Sequence, residues 1–180
     1  LNVSEAMEQM KQDGITDVMI QPTHVINGIE NDLMKEDALA YKDSFDSISF
    51  GAPLLTSEED TNKVIEILAD EFSWLNEEQA LVFMGHGTTH FSNSIYAALD
   101  YAFKDKGHPN IFLATVEAYP SIDSLKRLVD AYKPEEIVLA PFMIVAGDHA
   151  KNDMAGDDPD SWFNKFKAAG YKVKPILKGL

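Results

Sequence analysis

Two histidines and one glutamate, His86, Glu117 and His149, each stand in the loop after a short apolar segment of the chain. Apolar runs of this length, bounded by glycine and proline, are typical of the buried strands of a parallel sheet. The segments are residues 80–84, 111–115 and 137–140. Since open α/β sheets bind ligands at the carboxyl ends of their strands, we expect the three side chains to share one edge of the sheet.

Two imidazoles and one carboxylate suit two kinds of chemistry. Neutral histidine and glutamate bind borderline divalent metals such as cobalt, iron, nickel and zinc. The same groups can also act as general bases near neutral pH. A structural interpretation stays open beside both: His86 then caps the next helix, Glu117 is a surface acid, and Asp148 with His149 is a helix-capping pair.

A second loop of this kind, residues 21–30, follows an apolar segment near the start of the chain and contains His24 and Glu30. Each residue has an ordinary alternative explanation. His24 then is a buried loop histidine bonded to backbone, and Glu30 is an acid in the first turn of a helix, where the helix dipole favours negative charge.

The elements that must position these residues alternate between strand and helix patterns along the whole chain. Such alternation implies right-handed crossovers and parallel sheets, so the predicted fold class is α/β. The predicted strands are residues 15–20, 46–50, 80–84, 111–115, 137–140 and 171–177. The predicted helices are residues 4–13, 30–41, 57–72, 92–106, 121–132 and 157–169.

Composition restricts the function classes. The 180 residues include no cysteine, which excludes disulfides, thiolate metal sites and cysteine nucleophiles. The formal net charge of −15 argues against a nucleic-acid partner, because phosphates require a basic surface. No apolar run approaches the roughly 20 residues that span a bilayer, so we expect no membrane association and a cytoplasmic location.

Four segments of the sequence resemble motifs of the anaerobic cobalt chelatase family, the sirohydrochlorin cobaltochelatases, which are relatives of ferrochelatase. The segments are QPTHVINGIE at 21–30, MGHGT at 84–88, TVEAYP at 115–120 and PFMIVAGDHAKNDMAGDD at 141–158. The resemblance extends over nearly the whole chain, and the last motif is long enough to be specific. It implies two lobes, each a parallel sheet flanked by helices, with a tetrapyrrole in the cleft between them.

The resemblance also implies roles for individual residues. The metal-binding histidines of the family match His86 and His149, and its metal-site glutamate matches Glu117. The acidic residue of the first-lobe loop matches Glu30, so we expect His86, His149 and Glu30 to be catalytic. His24 and His90 lie within matching motifs and are assigned only supporting roles.

The implied reaction inserts Co²⁺ into sirohydrochlorin in anaerobic cobalamin biosynthesis, with no organic cofactor. Fe²⁺ and Ni²⁺, as in other chelatases of this fold, are the alternative metals. A carrier that binds metal or tetrapyrrole without catalysis would use the same residues. A nucleotide-binding function is disfavoured because no glycine-rich phosphate loop is present. The oligomeric state is open, a homo-oligomer included.

The expected lobes are residues 1–75 and 76–180, with the boundary between Phe50 and Gln79. The first residues read as the middle of a domain, and the chain begins with Leu1 rather than methionine. Family members have a further strand, a loop and helices before this point and a terminal helix after Leu180. We therefore expect the first lobe to lack its N-terminal part.

Overall fold

A computed structural model describes residues 1–180. Contacts within the chain divide it into two compact units, Leu1–Thr56 and Ser57–Leu180. Both units contain parallel strands flanked by helices, which confirms the predicted α/β class. The lobes expected at residues 1–75 and 76–180 stay a prediction.

The first unit is built on two parallel strands. Its elements are α1 (Val3–Gln12), β1 (Asp17–Ile20), α2 (Ile29–Leu39), a short 3₁₀ turn (Lys42–Ser44) and β2 (Ser47–Phe50). The strands pair in register, from Asp17 opposite Ser47 to Ile20 opposite Phe50. Because side chains alternate across a strand, Val18 faces the helices and packs with Met7, Ala38 and Phe45.

The second unit contains the larger sheet. Its elements are α3 (Glu58–Glu71), β3 (Gln79–Gly85), α4 (Ser94–Asp105), β4 (Ile111–Thr115), α5 (Ile122–Tyr132), β5 (Glu136–Phe142), α6 (Trp162–Ala168) and β6 (Lys172–Pro175). The four strands are parallel in the order β4-β3-β5-β6. At the end of β3, Gly85 pairs with both Thr115 of β4 and Phe142 of β5. The loops after these three strands therefore start side by side.

Helices cover both faces of this sheet. Ala80, Val82 and Met84 of β3 belong to one buried cluster that includes side chains of α5 and α6. Phe83 points to the opposite face, where its ring contacts those of Phe72, Phe103 and Phe142 at centroid distances of 5.6, 6.2 and 5.7 Å. Burial on both faces explains why β3 reads as an unbroken apolar run rather than an alternating one.

The predicted helix at residues 157–169 is wrong in its first part, because α6 begins only at Trp162. Pro159 has no backbone N–H, and the Asp160 N–H donates to the Asp158 carboxylate in a tight turn. Ser161 then caps α6 by accepting a hydrogen bond from the Asn164 N–H. A short π-helix, Ala150–Met154, precedes this turn and was not predicted.

No helix of the structure is both long enough and apolar enough to span a membrane.

We predict that Phe83→Ala lowers the free energy of unfolding of the second unit by about 3–5 kcal/mol, because the side chain is 1% exposed and its loss leaves a cavity. The control is Phe91→Ala, at a phenylalanine that is 84% exposed, where we expect a loss of about 0.5 kcal/mol or less. Urea unfolding followed by tryptophan fluorescence measures both, since Trp74 and Trp162 lie in this unit. Equal losses in the two variants would contradict the packing described.

Candidate metal centre

His86, Glu117 and His149 meet at the carboxyl edge of the larger sheet. One side-chain ligand atom from each lies within 4.8 Å of the others. The Nε2 atom of His149 is 3.7 Å from Oε1 of Glu117, and the two imidazole rings are 4.7 Å apart between centroids. Two nitrogens and one carboxylate oxygen thus surround a space in which one ion could touch all three.

The backbone fixes the positions of His86 and Glu117 relative to each other. The Val116 N–H donates to the Gly85 carbonyl, and the Glu117 N–H donates to the His86 carbonyl, both at 3.0 Å. These bonds continue the pairing of β3 and β4 beyond the ends of the strands. The two candidate ligands therefore lie on neighbouring, hydrogen-bonded segments.

Gly87 allows the chain to turn away directly after His86. Its φ angle is +88°, in the left-handed region, and a Cβ atom there would lie 2.9 Å from the backbone nitrogen of Ala118. Only glycine meets both conditions without strain. The close approach keeps the loop after β3 against the loop after β4, which contains Glu117.

Asn93 joins the same two loops through its side chain. Its Oδ1 accepts a hydrogen bond from the Thr88 N–H at 2.9 Å, and its Nδ2 donates to the Tyr119 carbonyl. The sequence predicts Ser92 or Asn93 as the cap of α4. Asn93 does occupy the N-cap position, but its side chain makes no capping hydrogen bond because it bridges the loops instead. An asparagine before a helix gives no signal that distinguishes these two roles.

Hydrogen bonds at Nδ1 orient both imidazoles. Nδ1 of His86 lies 2.8 Å from the Gly87 carbonyl oxygen, and Nδ1 of His149 lies 2.6 Å from Oδ2 of Asp153. Carbonyl and carboxylate oxygens only accept hydrogen bonds, so each Nδ1 carries its proton. In the neutral rings the lone pair then resides on Nε2, which is the state that binds a metal.

The alternative interpretation of His149 as part of a capping pair does not agree with the structure. His149 stands at the N-cap position of the π-helix, but its side chain makes no capping hydrogen bond.

The side chains of His149 and Glu117 are 32% and 53% exposed, so an ion from solution can reach them.

Three exposed apolar side chains project from the loops at this edge of the sheet. Phe91, Tyr119 and Val145 are 84%, 68% and 71% exposed and follow β3, β4 and β5, respectively. They stand on the same three loops as His86, Glu117 and His149. Phe142 does not belong to this group, since it is fully buried in the core.

The remaining histidine and acidic candidates are not among the three side chains that form the cluster. His90 shapes its own loop, since its Nδ1 accepts from the Ser92 N–H at 3.3 Å. Glu30 is exposed in the first turn of α2, within the first unit. His24 is in the loop after β1, and its buried Nδ1 has no hydrogen-bond partner. The catalytic role of Glu30 and the supporting roles of both histidines stay predictions.

We predict that Gly87→Ala weakens Co²⁺ binding, because the new methyl group forces the loops of His86 and Glu117 apart. The control is Gly107→Ala, whose φ of +90° is similar but whose Cβ meets nothing within 4 Å. Both substitutions incur a left-handed strain of roughly 1–2 kcal/mol in the free energy of unfolding. Crowding at Gly87 adds roughly 1–3 kcal/mol.

Metal titration and urea unfolding of both glycine variants check this expectation. Equal Co²⁺ affinities in the two variants would show that the contact at Gly87 has no part in forming the centre.

Comparison with known proteins agrees with the resemblance noted in the motifs. The family model described as cobalt chelatase (CbiK) matches residues 2–180. The sirohydrochlorin cobaltochelatase of Salmonella typhimurium strain LT2 is 37% identical over 179 residues, which cover 98% of this chain and 66% of the relative. Sirohydrochlorin cobaltochelatase CbiKC of Nitratidesulfovibrio vulgaris strain Hildenborough is 33% identical over 181 residues, which cover 99% of this chain and 64% of the relative.

The chain spans just under two thirds of the length of both relatives. The family match nevertheless extends over almost every residue of the chain, and both relatives are more than 30% identical to it. The resemblance predicted from the four motifs is confirmed, and the chain belongs to the cobalt chelatase (CbiK) family.

Proposed function

We propose that this chain acts as a sirohydrochlorin cobaltochelatase, which inserts Co²⁺ into the tetrapyrrole sirohydrochlorin. The observation that carries the proposal is the meeting of His86, Glu117 and His149, with ligand atoms within 4.8 Å, at the carboxyl edge of the sheet. The names of both relatives, sirohydrochlorin cobaltochelatases, support the substrate and the metal. We therefore propose Co²⁺, rather than Fe²⁺ or Ni²⁺, as the metal that is inserted.

In this proposal the three side chains occupy only part of the coordination sphere of the metal ion. Two imidazole nitrogens and one carboxylate oxygen leave coordination positions free, which the incoming pyrrole nitrogens can occupy. A more complete ligand set would retain the ion against the ring. The exposed edge, with Glu117 53% accessible, supports transfer of the ion from protein to ring.

Insertion also releases two protons, because the divalent ion replaces the hydrogens on two pyrrole nitrogens. As the ion leaves His86 and His149 for the ring, their Nε2 lone pairs become free to accept these protons. Histidine suits this step because imidazole is the side chain that most often accepts and donates protons in catalysis. Glu30 of the first unit is proposed as a further proton acceptor or as a group that orients the ring.

The apolar side chains at the edge supply a surface for the macrocycle. Phe91, Tyr119 and Val145 are large, exposed and arranged on the three loops that also contain the candidate ligands. A flat ring that covers them would remove apolar area from water while presenting its nitrogens to the ion.

The proposed setting involves neither nucleic acid nor membrane, which the net charge of −15 supports for nucleic acid. The proposed compartment is the cytoplasm. A homo-oligomer is compatible with the proposal and is not required by it.

We predict that His86→Ala and His149→Ala each reduce Co²⁺ insertion to the rate without protein, because the ion loses one of only two imidazole ligands. The assay mixes the chain with sirohydrochlorin and Co²⁺ and follows the visible spectrum against a no-protein control. His108→Ala is the matched control, since His108 lies between α4 and β4, at the opposite end of the strands. The Salmonella typhimurium relative serves as the positive control for the assay.

Full activity in either ligand variant, with His108→Ala also active, would contradict the proposed site. Stoichiometric Co²⁺ binding by the unmodified chain without any acceleration would instead indicate either a carrier or a chain that needs further segments of its relatives for turnover. Urea unfolding of each variant verifies that loss of activity is not loss of the fold.

A further inference from the structure

We propose that Asp153 is a positioning residue that holds His149 in the orientation and tautomer that bind the metal. The inference rests on the proposed function, because it concerns the same metal centre. The motif that includes both residues drew attention to His149 but gave no role to Asp153.

The contact between the two side chains is short and direct. Oδ2 of Asp153 lies 2.6 Å from Nδ1 of His149, and the residues are four positions apart. Hydrogen bonds with one ionised partner are shorter and stronger than neutral ones. The carboxylate therefore competes with water for the ring even though its side chain is 46% exposed.

The helical turn that runs from His149 through Ala150–Met154 brings Asp153 into reach, because residues four apart lie on the same side of such a turn. Ala150 and Met154 are fully buried in the core cluster and anchor both ends of the segment. Asp153 lies one residue before the second anchor, so its backbone is fixed relative to the sheet. The segment thus presents the carboxylate to the side of the imidazole that faces away from Glu117.

The contact of Asp153 with Nδ1 determines the state of the other ring nitrogen of His149, Nε2. Because Asp153 can only accept a hydrogen bond, it places the proton of neutral His149 on Nδ1 and leaves the lone pair on Nε2. That Nε2 is the atom 3.7 Å from Oε1 of Glu117. The contact with Asp153 thus directs the donor atom of His149 into the metal centre.

His86 offers an internal comparison. Its Nδ1 contacts the carbonyl of the adjacent Gly87 at 2.8 Å, which is a neutral acceptor in the same turn. A carboxylate increases the donor strength of an imidazole more than a neutral carbonyl does, because of its charge. We therefore infer that His149 is the stronger of the two imidazole ligands and that its strength depends on Asp153.

The alternative is that Asp153 and His149 form a surface pair with no effect on the metal. Exposed pairs four residues apart are common and contribute little to stability. If the pair has no effect on the metal, loss of the Asp153 carboxylate leaves the Co²⁺ affinity unchanged. Any change in Co²⁺ affinity would then be the same with and without His149. Measurements of Co²⁺ binding therefore separate the two explanations.

The experiment is a calorimetric titration of the whole chain with Co²⁺ alone. We expect Asp153→Ala to weaken Co²⁺ binding about 10- to 100-fold, as is usual when the hydrogen-bond partner of a metal-binding histidine is lost. Asp153→Asn should weaken Co²⁺ binding less than Asp153→Ala does, because the amide oxygen still accepts a hydrogen bond from Nδ1 although it has no charge. The matched control is Asp157→Ala, which removes the same charge from an exposed residue just after the π-helix.

A double variant tests whether Asp153 acts through His149. We expect Asp153→Ala to have no further effect on Co²⁺ affinity in the His149→Ala background. The inference is overturned if Asp153→Ala binds Co²⁺ as well as the unmodified chain, if Asp157→Ala weakens binding equally, or if the loss persists without His149. An unchanged affinity in His149→Ala itself would overturn it as well.

These titrations contain no tetrapyrrole, so they fail or succeed independently of the chelatase reaction. If the Co²⁺ affinities follow the expected pattern but the chain does not accelerate insertion, the role of Asp153 is retained and the catalytic function is rejected.

Discussion

The parallel pairing of three strands is the constraint on which the candidate metal centre depends. Gly85 ends β3 opposite Thr115 of β4 and Phe142 of β5, so three loops leave the sheet at one level. A shift of one residue in either pairing would move a candidate ligand by about 3.3 Å along the strand. This displacement exceeds the length of a metal–ligand bond. The apolar core that fixes this register therefore also fixes the spacing of the ligands.

The structure holds the candidate ligands in two different ways. Main-chain hydrogen bonds and the close approach at Gly87 fix His86 and Glu117 to each other. His149 lies seven residues beyond the end of β5, where no strand pairing reaches it. A side-chain contact with Asp153 replaces the missing backbone support. The third candidate ligand is thus positioned locally, by a helical turn that is anchored in the core.

The sequence predicted most of the strands, and the meeting of His86, Glu117 and His149 at one edge of the sheet, for a physical reason. The segment 111–115 is found as β4 with the same bounds, since five consecutive buried residues give a strong apolar signal. His86, Glu117 and His149 were found because they follow such strands, and the family motifs pointed to the same residues. Their proximity follows from the parallel sheet, although their function as metal ligands stays a proposal.

The features that sequence reasoning missed are side-chain contacts without a periodic signature. A five-residue π-helix has no repeat that can be distinguished from an ordinary helix, so Ala150–Met154 and the reach of Asp153 were not predicted. Asn93 looks like a helix cap in the sequence, but it joins two loops that only the folded sheet brings together. Asn93 joins distant segments, whereas Asp153 contacts His149 across a single helical turn, and the apolar pattern of the sequence reports neither contact.

X-ray absorption at the cobalt edge of the Co²⁺-loaded chain identifies the ligands of the ion, because imidazole rings give a characteristic scattering pattern from which their number is obtained. If His86, Glu117 and His149 bind the ion, we expect two imidazole nitrogens and at least one carboxylate oxygen around the cobalt, and the loss of one imidazole in His149→Ala. A shell of oxygen atoms alone, or two imidazoles that persist without His149, would contradict this assignment.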